Sequence, residues 1–72
     1  MDFVDLANDL LKILLKEYPE NVKKRYENKT TLEEIATLRK FVTNGGELDL
    51  ERTAKSVVDD FRKGRLGKIT LD

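Results

Sequence analysis

Residues 2–19, DFVDLANDLLKILLKEYP, decide how the fold begins. Apolar side chains recur there every three or four residues, the spacing of one broad face on an α-helix. They are Phe3, Leu6, Ala7, Leu10, Leu11, Leu14, Leu15 and Tyr18. Asp2 is a suitable N-cap. Pro19 is expected to end the helix, because proline disfavours helical backbone at the residue before it and has no N–H to donate.

A second, short helix is predicted over PENVKKRYE, residues 19–27. Proline suits the first turn of a helix, where its missing N–H is not needed. Val22 and Tyr26 are four residues apart and therefore share one face, which we expect to point inward. Lys23, Lys24 and Arg25 occupy the outward face.

Capping residues indicate two more helices. Thr31 and Glu34 form a capping box that opens a third helix, expected to run to about Val42. The sequence Asn44-Gly45-Gly46 then suits a helix C-cap followed by a turn, because these residues tolerate positive φ. Asp49 is expected to cap a fourth helix, whose apolar positions are Leu50, Ala54, Val57, Val58 and Phe61.

The chain closes on DDFRKGRLGKITLD, residues 59–72, which is basic and contains glycines. Gly64 lies where a left-handed C-cap is expected, and Gly67 would free an extended arm. Leu66, Ile69 and Leu71 are expected to pack back on the helices. The sequence thus predicts one all-α domain over residues 1–72, a bundle of about four helices with a basic extended C-terminal tail.

The composition narrows the possible functions. Fourteen basic residues balance fourteen acidic ones, so the net charge of zero gives no global attraction to nucleic acid or membrane. His and Cys are absent, which removes the commonest general base, nucleophile and transition-metal ligands. The carboxylate pairs Glu33-Glu34 and Asp59-Asp60 are interpreted as solvated, because adjacent helical residues do not face each other.

No enzyme activity, metal or cofactor is therefore expected of this chain alone. The longest apolar stretch is far shorter than the ~20 residues of a membrane span, and no signal-peptide pattern opens the chain. We expect a cytoplasmic monomer.

Some cations have a ready structural explanation and others do not. Cations favour helix C-termini, which accounts for Arg39-Lys40 and Arg62-Lys63. Arg65 and Lys68 lie beyond the last helix. Cations on an extended arm suit contacts with nucleic-acid phosphates, although a solubilising tail is the alternative. Tyr18 and Tyr26 are interpreted as core residues rather than base-stacking ones.

Three stretches together resemble one family. They are YPENVKKRYE (18–27), GGELDLERTAKSVV (45–58) and DDFRKGRLGKITLD (59–72). In this order they are typical of the C-terminal domain of circularly permuted ribosome-biogenesis GTPases of the YlqF/RbgA type. The chain departs from the family pattern at Leu38-Arg39-Lys40, where Lys40 replaces a glycine, and in a shorter connection after Tyr26.

The resemblance implies a small helical RNA-binding module, similar to ANTAR domains, attached behind a GTPase domain. It implies binding to rRNA of the immature large ribosomal subunit, with ribosomal proteins and the GTPase domain as further partners. GTP and Mg²⁺ are expected only in the GTPase domain, whose motifs this sequence lacks. The rRNA-binding residues it implies are Lys23, Lys24, Arg25, Arg39, Arg62, Lys63, Arg65 and Lys68, and Gly45, Gly46, Gly64 and Gly67 would shape the backbone.

Two other functions stay open. A helical protein-docking domain would bind a GTPase domain or a ribosomal protein through an apolar surface, with little salt dependence. Binding about four phosphates would instead give a log–log salt slope of roughly −3 to −4. A free-standing enzyme lacks catalytic residues.

Overall fold

The computed structural model describes residues 2–69 and is all-helical, as predicted. Its elements are α1 (Phe3–Glu17), α2 (Pro19–Arg25), α3 (Leu32–Arg39) and α4 (Leu50–Arg62). Within the described residues, β-structure is limited to an isolated antiparallel bridge between Val42 and Leu48. The prediction for Leu71 concerns a residue outside this range.

The predicted caps set the helix starts. Asp2 Oδ1 accepts a hydrogen bond from the Val4 amide at 2.9 Å, and Asp49 Oδ1 accepts one from the Arg52 amide at 3.0 Å. Thr31 Oγ1 likewise accepts from the Glu34 amide at 3.1 Å. The Glu34 carboxylate accepts in return from the Thr30 amide at 3.2 Å, which lowers the pKa of Glu34. These side chains satisfy amides that have no partner inside the helix.

The core lies where α1 packs against α2 and α4, and α3 packs against α4. Its buried apolar residues are Ala7, Leu11, Leu14, Val22, Tyr26, Leu32, Ile35, Ala36, Ala54, Val57 and Leu66. Tyr26 is thereby confirmed as a core residue. Phe3 and Leu6, predicted to face inward, are instead 40% and 38% exposed. The apolar stripe of α1 is wider than the surface that its neighbours cover.

α3 ends at Arg39 rather than at Val42 as predicted. Lys40 adopts left-handed backbone, φ +58°, and the Phe41 amide donates to the Ala36 carbonyl at 2.9 Å. The Lys40 amide also donates to the Thr37 carbonyl, completing a Schellman termination. The glycines predicted to cap α3 lie further on, in the turn between the bridged residues, where Gly46 has φ +81°.

Lys40 is expected to destabilise the fold slightly, because it has a Cβ at a left-handed position. A side chain with a Cβ is strained at positive φ, whereas glycine is not. We expect Lys40→Gly to raise the free energy of unfolding by about 0.5–1 kcal/mol, measured by urea denaturation. Lys40→Ala is the control, since it removes the charge but keeps the Cβ. An equal gain from both variants would mean that charge, not backbone strain, governs this position.

Residues 63–67 after α4 form a turn and not the extended backbone that was predicted, and residues 70–72 of the predicted arm lie outside the described range. Gly64 does take the expected left-handed cap, φ +72°, but Gly67 also has positive φ, and its amide donates to the Gly64 carbonyl at 3.1 Å. The chain therefore folds into a tight turn over residues 63–67. Leu66, 3% exposed, enters the core, and Ile69 packs at its edge, as expected for both.

Candidate nucleic-acid interface

A buried carboxylate on α4, that of Asp60, organises the surface formed by α2 and the C-terminal turn. The Tyr26 hydroxyl donates to its Oδ2 at 2.8 Å. Arg25 approaches both oxygens, with Nε 3.4 Å from Oδ2 and Nη2 3.2 Å from Oδ1. Arg65 Nη1 lies 3.2 Å from Oδ1. The side chain of Asp60 is 3% exposed, so these contacts replace its water.

The electrostatics of this cluster fix its protonation states. Burial by itself raises the pKa of Asp60, but the hydrogen bonds from Tyr26, Arg25 and Arg65 outweigh it and leave that pKa below its ordinary value. Burial, followed by the hydrogen bond to Asp60, raises the pKa of Tyr26. The carboxylate is therefore ionised and the phenol protonated near neutral pH.

The interpretation of Asp59-Asp60 as a solvated pair is wrong for Asp60. Asp60 lies three residues after Val57, which places it on the inward face of α4. That spacing was the available signal for its burial. Asp59 is half exposed, 46%, and pairs with Lys63 Nζ at 3.1 Å, as expected of a surface carboxylate.

The same cluster joins two of the stretches that carry the family resemblance. Arg25 and Tyr26 belong to YPENVKKRYE, whereas Asp60 and Arg65 belong to DDFRKGRLGKITLD. Part of what these motifs specify is therefore the docking of α2 against α4 and the C-terminal turn. The arginines hold this contact and also remain at the surface, with side chains 32% and 47% exposed for Arg25 and Arg65.

An open cleft of about 530 Å³ separates α2 from the C-terminal turn. We call it the α2 cleft. It is lined by three cations, one acid and three uncharged residues: Lys24, Arg25, Arg65, Glu20, Asn21, Leu66 and Gly67. Asn21 Nδ2 closes its base by donating to the Leu66 carbonyl at 2.7 Å. Gly67 has φ +97°, which strains any residue with a Cβ, and a Cβ there would also lie 2.7 Å from Asn21 Nδ2 and displace that side chain. Three cations from two segments thus share one concave surface.

Of the predicted cations, only Lys24, Arg25 and Arg65 are in the lining of the cleft. Within residues 2–69, the side chains of Lys23, Lys24, Arg62 and Lys68 make no hydrogen bond or ion pair. Lys63 pairs with Asp59. Arg39 lies over the Tyr26 ring, 5.7 Å from its centroid. Gly45 and Gly46 belong to the turn before α4 and do not line the cleft.

Residues 2–69 contain neither a metal-binding cluster nor a membrane-spanning helix. No group of three or more carboxylate, His or Cys side chains is arranged there to hold a metal ion. None of the helices is long and apolar enough to cross a membrane. The predictions about cofactors and cellular location remain predictions.

Known proteins that match this chain over its whole length are ribosome biogenesis GTPases A. The chain is 32% identical to ribosome biogenesis GTPase A of Bacillus cereus, over 100% of the chain and 27% of that protein. It is 30% identical to the protein of the same name from Priestia megaterium, with the same coverage of 100% and 27%. The chain thus spans only 27% of the length of these curated relatives. No family model matches the chain, and no solved structure matches it significantly.

Proposed function

Because the chain is homologous to the C-terminal domain of circularly permuted ribosome biogenesis GTPases of the YlqF/RbgA type, we propose that it recognises rRNA of the large ribosomal subunit during assembly. The observation that carries this proposal is the α2 cleft. There Lys24, Arg25 and Arg65 converge from two segments in a chain whose net charge is zero. Nucleic-acid binding by a neutral chain needs such a local concentration of cations.

The arrangement of the two arginines suits phosphate binding. A guanidinium presents five N–H donors in a rigid fork that matches phosphate geometry. Asp60 engages two nitrogens of Arg25 and one of Arg65, leaving their other donors for a ligand. Holding the side chains in place before binding reduces the entropy that ordering them would otherwise cost. Lys24 adds a mobile charge beside them.

Salt dependence tests this function. Lys24 lines the cleft with the fixed arginines, and Lys68 directly follows Gly67 of its lining. Neither lysine side chain has a partner within residues 2–69. Replacing both by Gln should therefore leave the fold intact. We expect the double variant to bind large-subunit rRNA more weakly and to reduce the magnitude of the log–log salt slope by about 1–2. The measurement is a binding titration of the 72-residue chain at a series of salt concentrations.

The matched control removes the same charge from another face. Lys12 and Lys16 are exposed on α1, so their double Gln variant has the same net charge as the test variant. It should retain the wild-type slope. Equal effects from the two double variants would contradict recognition through the α2 cleft. Failure of the chain to bind rRNA at any salt concentration would favour the protein-docking alternative.

A further inference from the structure

A second surface on the far side of α4 combines aromatic rings with cations. Arg52, Lys55 and Arg62 recur at spacings of three and seven residues, which places them on one face, and we call it the α4 outer face. This face is turned away from the buried residues of α4, Thr53, Ala54, Val57 and Asp60. Phe41 and Phe3 flank it, and together they enclose an open groove of about 430 Å³.

The cations of this face lie over the rings. The Arg52 guanidinium carbon is 4.5 Å from the centroid of the Phe41 ring. Lys55 Nζ is 5.5 Å from the centroid of the Phe3 ring. A guanidinium attracted to a ring on one side can accept a second planar group on its other side. Arg52 is exposed, so its outer side is accessible to a ligand.

The charged side chains around the α4 outer face favour binding of a polyanion. The two acids of this region each pair with a lysine. Glu51 pairs with Lys55 of the α4 outer face at 3.5 Å, and Asp59, which lines the groove, pairs with Lys63 at 3.1 Å. Arg52 and Arg62 form no ion pair within residues 2–69. A planar guanidinium on an aromatic ring beside a free cation is the combination that binds a nucleobase and its phosphate, since bases stack on both Phe rings and Arg planes.

We propose that the α4 outer face binds unpaired nucleotides, with a base stacked on Arg52 and the adjoining phosphate near Arg62. This inference rests on the proposed function and adds to it a second contact with different chemistry. The α2 cleft binds phosphates and is indifferent to pairing, whereas a stacked base has to be out of a duplex. The two contacts would let the module select a junction of paired and unpaired RNA.

The test compares a short single-stranded RNA containing 2-aminopurine with the matched duplex. Arg52→Lys keeps the charge but loses the planar group, and Phe41→Leu removes the ring beneath it. Stacking contributes about 1–3 kcal/mol per base, so each variant should weaken single-strand binding about fivefold or more and reduce the fluorescence change on binding. Affinity for the duplex should stay within about twofold.

Further variants separate the two proposals. Lys24→Gln should weaken the binding of both RNAs, and circular dichroism checks that every variant folds. If Lys24→Gln has this effect while Arg52→Lys and Phe41→Leu change neither RNA, the stacking inference is wrong and the proposed function survives. Equal loss on duplex and single strand also overturns the stacking inference. If the wild type binds neither RNA, both proposals are wrong.

Discussion

Replacing Asp60 by Asn should lower the free energy of unfolding by about 2–3 kcal/mol. The substitution keeps the volume but removes the charge that Arg25 and Arg65 share, and it turns an amide donor toward their donors. Removing one partner of a fully buried ion pair costs about 3–5 kcal/mol. We expect less here, because both arginines are partly exposed, 32% and 47%, and can regain water.

The matched control is its neighbour on the same helix. Asp59→Asn removes an identical charge from a half-exposed carboxylate whose partners are Lys63 and Arg65, and should cost no more than about 1 kcal/mol. Urea denaturation measures both variants. Equal losses would show that the buried cluster contributes no more than a surface ion pair.

The loss of stability in Asp60→Asn should also depend on pH. The folded state lowers the pKa of Asp60, so its stabilisation is present at pH values above the ordinary pKa and is lost as pH falls through the folded value. The gap in stability between wild type and Asp60→Asn should therefore be full at neutral pH and shrink below about pH 4. A gap that stays constant down to acid pH would contradict the ionised state assigned to Asp60.

Replacing Leu66 by Ala should destabilise the domain by about 2–3 kcal/mol. Leu66 is 3% exposed and fixes the C-terminal turn to the core, with its carbonyl held by Asn21. Truncation leaves a cavity beneath the turn, and the turn carries Arg65 on the wall of the α2 cleft. RNA affinity should therefore fall as well, even though no charge has been removed.

Leu48→Ala is the control for this second prediction. Leu48 is also a leucine outside the helices but is 37% exposed, so its truncation should cost less than about 1 kcal/mol and leave RNA affinity unchanged. Binding should be compared at a temperature where all variants are folded. If Leu66→Ala weakened the fold no more than Leu48→Ala, the turn would not be anchored as described.

Local features of the fold could be predicted because they depend on neighbouring residues. The caps at Asp2, Thr31 and Asp49, the break at Pro19 and the left-handed Gly64 are all decided within about one helical turn. The early end of α3 was missed, because Lys40 takes a left-handed conformation that glycine usually adopts. The glycine that the family pattern has at this position was the available signal.

Features that depend on distant pairs were missed. Asp60 meets Tyr26, which is 34 positions away in the sequence, so its partners depend on where the fold places the end of α2 relative to α4. The path of the C-terminal turn likewise depends on Asn21, which lies 45 positions from Leu66. The sequence alone indicated cations at Arg25 and Arg65 but gave no reason for them to share a cleft.

The most direct test of the central claim, that the α2 cleft is the RNA-binding surface, is an NMR titration of the ¹⁵N-labelled chain with large-subunit rRNA. The account predicts the largest shifts at Asn21, Lys24, Arg65 and Gly67, with the amides of Lys12 and Lys16 unchanged. Shifts confined to α1, or no shifts at RNA concentrations that saturate binding, would contradict it.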